Sequence, residues 1–507
     1  MMKYSWFLFF VFHSLLLYQQ NINYKTYTSP VGTSAISINT ITAKTYSFTQ
    51  PVYRVVPDSG TGNIYITLRQ KDVTGRGYTN RGFHVIVKAN DSACCVMEDS
   101  KLDLVVANEY LLLSNANRTS AYDRFLGYEK FEYPSKIIYT IAKNNSGLTY
   151  TTQAGQSGNR ALNNVQLKSG GSLWSAPVPS EHNWNGVFTL NDSVIVIAAG
   201  GLHALNINSG ALWSYDLTTS ERSSKPYTYS SFNRYSFDKL YSKISTSDEA
   251  LATQFTSNVL ITDSLIYFAG KDKLLAVKKN GTLLWESALK VSVMSASVLK
   301  ETSQNILLVN LGVARYNNDL VLSGTPIVLA YNKYTGERIF ENKMDMPPVL
   351  SDVSFTKNSV LIAGNNKVVE VSDNLSVKCH ADLPETKFGR FLEFIDGSEF
   401  YVEKEGFYVP LNFINDNVIY FKTDHGKVFG MNNNNIEYEY HFGELYRLNK
   451  TAGNKKLLSQ KDRSVLISEN YELLQIFNTV ENAYYLNNKL YFTEGRKLHI
   501  VNLNELK

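Results

Sequence analysis

The sequence predicts an all-β chain: a single β-propeller of about eight four-stranded antiparallel blades, with seven as the alternative count, closed by an N-terminal strand. Three observations predict it. A strand-rich unit recurs at least five times along the 507 residues, and several copies end in the same way. Aromatic residues reach 13%, with 33 Tyr and 26 Phe, an enrichment that favours strands. Helical periodicity is nearly absent, with a turn or two at most near residues 248–254. Such units cannot bury their faces alone, so a series of them implies an array in which each covers the next.

The clearest copies are SVIVIAAGGLHALNINSGALWSYDL at 193–217 and SLIYFAGKDKLLAVKKNGTLLWESAL at 264–289. Each has an apolar strand, a tight turn with Gly, a second apolar strand, a polar turn carrying Gly210 or Gly281, and a strand opening on Trp213 or Trp285. The copy at 305–344 stretches its first turn and keeps the ending, so Ala330 falls on Ala276, Gly336 on Gly281 and Phe340 on Trp285. A small Ala suits a close approach of neighbouring sheets, Gly supplies a positive φ in the turn, and the aromatic spans the gap to the next sheet. Residues 358–383 form a degenerate copy, and 416–442 a fifth. The last begins at 487 and stops after two strands, so an N-terminal strand is expected to complete it, with 33–42 (TSAISINTIT) as the candidate.

Upstream, 52–99 offers four strands (VYRVVP, GNIYITLRQ, GFHVIVKAN, ACCVMED) and 102–141 offers four more. The Gly/Ser/Asn-rich stretch 144–180 is either a linker or part of a unit, which separates the counts of eight and seven. Insertions are expected near 144–180, 218–252 and 437–463, read as surface loops on the ring.

Residues 1–20 read as a signal peptide: a short n-region with Lys3, then the apolar core WFLFFVFHSLLLY, too short to span a bilayer. Residues 21–507 then form the propeller domain. An exported protein of the periplasm, cell surface or medium is expected, monomeric and without a transmembrane span in the mature chain. The net charge of +4 is dispersed, with 50 basic against 46 acidic residues, so no nucleic-acid partner is expected. Three cysteines are too few for a disulfide scaffold.

On the segments ALNINSGALWSYDL, AVKKNGTLLWESAL and AYNKYTGERIFENKM, the chain resembles the PQQ-like (quinoprotein-type) β-propeller repeat family, as a divergent member closest in kind to the non-enzymatic propellers. The resemblance implies one of two roles. Quinoprotein alcohol dehydrogenases of this fold bind pyrroloquinoline quinone and Ca²⁺ at the ring's centre, with a disulfide between adjacent cysteines beside the cofactor. Non-enzymatic relatives use the ring as a docking surface. Cys94-Cys95 invites the first reading, but both fall on the last strand of their unit, at the outer rim, as adjacent residues on opposite faces. Cys379, on an equivalent closing strand, is expected to be a small buried residue.

The eight histidines (His13, His84, His182, His203, His380, His425, His441 and His499) show no ligand spacing. No Asp-rich Ca²⁺ loop, nucleophile elbow or phosphate-cradling loop is seen. No catalytic, cofactor-binding or metal residue is therefore assigned, and no cofactor is expected. The function read from the sequence is a non-catalytic binding or scaffold module for protein, peptide or glycan partners. The alternatives are a pyrroloquinoline-quinone-dependent dehydrogenase and a glycan-active hydrolase or lyase.

Overall fold

Each repeat folds into four antiparallel strands joined in chain order, because runs of alternating apolar residues are separated by turns rich in Gly, Asn and Asp. The structure is a computed structural model. It describes residues 24–505 except 35–39, 72–77, 91, 100–102, 116, 126–127, 152–160, 179–183, 185, 217–255, 271–272, 290–295, 317–318, 323–324, 345–349, 351, 365–366, 390–391, 415–417, 433–434 and 479. The stretch 1–20, read above as a signal peptide, and the expected insertion 218–252 lie outside the described residues.

Eight four-stranded sheets stand free, and an eleven-stranded sheet contains two further four-stranded units. In chain order, sheets 1 to 8 cover residues 52–99, 103–133, 137–176, 186–216, 260–288, 297–343, 352–382 and 392–441. Sheet 9 covers 446–477, and sheet 10 combines 481–502 with the N-terminal strand Thr40–Phe48. Among the described residues the packed units thus number ten. The two beyond the expectation arise from 144–180 and from 437–463. The first supplies the strands Ser146–Thr151, Ala161–Gln166 and Ser172–Ala176 of sheet 3. The second, expected as an insertion, runs through the strands Asn435–His441, Tyr446–Ala452 and Lys455–Ser459. In sheet 2 the third strand is Thr119–Asp123, so KIIYTI opens sheet 3 instead of closing sheet 2.

The sheets form a closed ring because every one packs on the next. Buried apolar clusters join sheet 1 to 2, 2 to 3, 3 to 4, 4 to 5, 5 to 6, 6 to 7 and 7 to 8. Further clusters join 9 to 10 and 10 back to 1, and between 8 and 9 the hairpin of residues 400–410 packs on sheet 8 in one cluster and on sheet 9 in another. First strands of successive sheets touch, as between sheets 5 and 6, where Ser257 and Ser297 form a parallel bridge; they are the innermost strands. Fourth strands are outermost.

Closure is made by the N-terminus, as expected, though by Thr40–Phe48 and not by 33–42. This strand pairs with Lys497–Asn502 (Tyr46 opposite Leu498), and its alternation serves both neighbours. Ile41 and Ala43 enter the cluster with sheet 9, while Tyr46 and Phe48 enter the cluster with sheet 1. A further strand, Tyr24–Ser34, runs outside it and pairs with the outer strand of sheet 9 (Thr33 opposite Ile476). Thr45 is buried and hydrogen-bonds His499 Nδ1 at 2.9 Å and Ser29 Oγ at 2.6 Å. His499 Nε2 meets Glu494 Oε2 at 3.2 Å, and Lys497 Nζ meets the same oxygen at 3.2 Å.

One buried ion pair also joins neighbouring sheets. Arg124, after the third strand of sheet 2, clasps Asp58 in the first turn of sheet 1. Burial opposes ionisation of Asp58, but hydrogen bonds from Arg124, Thr61 and Tyr65 outweigh it and hold the carboxyl at about 2.

Two outcomes follow from the closure. Tyr46→Ala removes a fully buried ring and is expected to cost about 3–5 kcal/mol, read as a lowered urea midpoint. Burial pushes the His499 imidazole below its ordinary value, more than Glu494 raises it. The folded state therefore binds fewer protons than the unfolded one as the pH drops from the ordinary histidine value through the lowered one, and stability falls over that window. His499→Gln is expected to flatten this part of the stability–pH curve.

Candidate ligand-binding cleft

In most sheets one cross-strand pair between the third and fourth strands has a small or amide residue opposite an aromatic. The pairs are Ala121–Phe131, Asn164–Trp174, Ala204–Trp213, Ala276–Trp285, Ala330–Phe340 and Gly430–Tyr438, in sheets 2 to 6 and 8. Each stands beside a register shift, which turns the aromatic toward the following sheet. The tryptophans then reach across the gap. Trp174 Nε1 donates to Ile207 O at 3.0 Å, Trp213 Nε1 to Lys279 O at 3.2 Å, and Trp285 Nε1 to Lys333 O at 3.1 Å. The acceptor in each case lies at the turn between the third and fourth strands of the next sheet. Gly281 and Gly336, at φ +86° and +72°, complete these contacts: a Cβ on either would come within 2.5 Å of the indole of Trp213 or Trp285.

Sheet 7 breaks the pattern. Its third strand, Lys367–Ser372, aligns with Lys273–Lys278, so Glu370 stands where Ala276 stands, and Lys378 opposes it in place of Trp285. The register shift here comes two residues earlier, between Val368 and Val369. Val368 packs toward sheet 8, and by strand alternation Glu370 points the same way. Without an aromatic plug, the gap between sheets 7 and 8 stays open as a cleft of about 600 Å³. Ser354, Thr356, Glu370 and Lys378 line one wall; Phe394, Ile395, Asp396, Tyr420, Met431 and Asn432 line the other, with Asn412 at its edge.

The lining is held by specific contacts. Buried Asp352 accepts hydrogen bonds from Val353 N at 2.8 Å and Phe394 N at 2.9 Å, fixing the two first strands that form the inner end. The connection after the first strand of sheet 8 carries a hairpin, Phe400–Lys404 with Phe407–Pro410, and a short helix, Leu411–Ile414. Tyr420 OH donates to Leu411 O at 2.8 Å and ties this helix over the cleft; burial pushes the phenol well above its ordinary value, so it stays protonated. Asp396 Oδ1 accepts from Ser398 N at 2.8 Å and Ser398 Oγ at 2.6 Å. Asn432 Nδ2 donates to Glu437 Oε1 at 2.9 Å, which leaves its carbonyl oxygen for a ligand. The side chains of Asn412 and Lys378 have no hydrogen-bond partner among the described residues. Chemically the cleft offers donors and acceptors around an apolar floor, a binding arrangement.

Residues singled out in the sequence lie elsewhere. Cys94 and Cys95 are on the outermost strand of sheet 1, opposite Ile86 and Val85. Cys379 is exposed, contrary to the expectation that it is buried: it is opposite Val369, one residue past the position that carries the aromatic in other sheets. His84 and His203 are buried and hydrogen-bonded, to Thr67 at 3.2 Å and to Ser214 and Ala199 at 3.0 and 3.1 Å. Among the described residues no group of three His, Cys, Asp or Glu is arranged to hold a metal ion.

No family model and no curated protein matches this chain. Solved structures resemble it at low sequence identity. BamB from Moraxella catarrhalis is 12% identical, with 86% of this chain and 98% of that one covered at a TM-score of 0.32. The Neurospora crassa Pan2 WD40 domain is 10% identical over 66% and 93%, at 0.29. A quinohemoprotein alcohol dehydrogenase from Pseudomonas putida HK5 is 8% identical over 75% and 71%, at 0.31. The β-propeller class rests on the sheets and their circular packing.

The plugs and the open gap differ in a measurable way. Trp285→Ala is expected to cost about 3–5 kcal/mol by denaturant unfolding, whereas Lys378→Ala should stay within about 0.5 kcal/mol of the parent.

Proposed function

We propose that this chain is an exported, non-catalytic propeller that acts as a binding or scaffold module. The observation that carries this reading is the cleft between sheets 7 and 8. Where sheets 2 to 6 and 8 set an aromatic ring opposite a small or amide residue, sheet 7 sets Lys378 opposite Glu370 and gives up that packing. Departures of that kind, without a structural gain, mark the places where a fold has been turned to a purpose. The cleft's polar groups are built for recognition: amides, carboxylates, hydroxyls and one amine around Phe394 and Tyr420. Ring architecture suits the role, since a rigid closed scaffold holds such a surface without reorganisation on binding.

The test separates binding from turnover. Affinity capture with the intact exported protein should recover a partner saturably, and release it when excess untagged protein is added. Reconstitution with pyrroloquinoline quinone and Ca²⁺ should give no cofactor absorbance and no oxidation of alcohols. Quinone binding with turnover, and no partner recovered, would replace this reading with the dehydrogenase.

A further inference from the structure

We infer that the cleft between sheets 7 and 8 receives an aromatic side chain, Trp or Tyr, from a peptide segment of a partner, with a basic residue beside it. This deepens the binding role proposed above and rests on it. The argument is internal to the molecule. The same gap occurs between sheets 3 and 4, 4 and 5, and 5 and 6, and in each it is filled by an indole whose N–H meets a backbone carbonyl at 3.0–3.2 Å. Tyr133 of sheet 2 does likewise with a phenol, its hydroxyl donating to Gln166 O at 3.2 Å beside Gly170. In the four gaps that follow sheets 2 to 5 the fold itself therefore places an aromatic ring with one polar hydrogen.

Between sheets 7 and 8 the chain supplies no such ring. The position opposite Glu370 is taken by the exposed Lys378, and Phe394, Tyr420 and Met431 present apolar surface on the far wall. An aromatic side chain from outside would regain the apolar contact its siblings make internally. Charge sets its neighbour. Asp396 lines the far wall and its hydrogen-bond donors, Ser398 N and Oγ, are uncharged, so a flanking Lys or Arg beside that wall is favoured over an acidic residue. A neutral glycan would use the amides and hydroxyls, yet nothing in the repeat offers a precedent for it.

The probe is the capped tripeptide acetyl-Lys-Trp-Lys-amide, added to the full chain labelled with ¹³C at methionine methyls, because Met431 lines the cleft. The Met431 methyl resonance is expected to shift saturably. Acetyl-Lys-Ala-Lys-amide should bind at least tenfold more weakly. Two variants refill the gap internally: Lys378→Trp, and the double change Glu370→Ala with Lys378→Phe, which recreates the Ala330–Phe340 pair of sheet 6. Both should weaken the Trp peptide at least tenfold, and the double variant should melt at a higher temperature than the parent. Equal binding of the Ala peptide, undiminished binding to a folded plugged variant, or a Met431 response to maltotriose with none to the Trp peptide overturns the inference. If a plugged variant still captures the partner of the whole propeller, the cleft is not its site, and the binding role then resides elsewhere on the ring.

Discussion

The structure depends on one repeated contact, an aromatic ring on the outer strand of one sheet lodged against the turn of the next. A four-stranded sheet has two apolar faces and cannot be stable alone, so each must be covered from both sides. The small residue opposite the aromatic makes the pocket, the register shift aims the ring, and the indole N–H is held by a backbone carbonyl of the next sheet's turn. Ala276 and Trp285 are thus one device in two strands. From sheet 2 to sheet 7 the clusters between sheets are built around this device.

Much of this was legible. The strands of residues 52–99 appear as read, because their alternation is apolar and their turns carry Gly, Asp and Asn. The alignment of Ala330 with Ala276 and Phe340 with Trp285 survives as matching cross-strand pairs. The strand Thr119–Asp123 was not legible, since TSAYD looks like a loop. It is nonetheless buried: Thr119 Oγ1 donates to Ser135 O at 3.1 Å, and Ser114 and Thr119 hydroxyls meet at 2.8 Å. Hydroxyls satisfied in this way carry no hydrophobic signal. Sheet 9 was hidden for a related reason. Its first strand, YRLNKTA, buries only its two ends.

The cleft was beyond sequence reading in a different sense. Its residues were visible, but their equivalence to a Trp and an Ala was not. The register shift in sheet 7 comes two residues early, so a linear alignment sets Cys379 against the aromatic when Lys378 is the true counterpart. Spacing along the chain records which residues are near in sequence. Which of them share a face is decided by the bulge, and the bulge is a property of two strands together.

The N-terminal closing strand has a consequence for how the protein is made. Thr45 and His499 are partners 454 residues apart, a span that a ribosome adding 5–20 residues per second takes on the order of 20–90 s to synthesise. Throughout that interval the apolar side of residues 41–48 lacks its final neighbours, and the growing arc keeps two open ends. Assembly cannot be completed at the rate of local hairpins; it waits for the carboxy-terminal segment to emerge and find the amino-terminal one. Such a chain has a long vulnerable period before it becomes a sealed object, and it needs its early strands shielded from aggregation during that time.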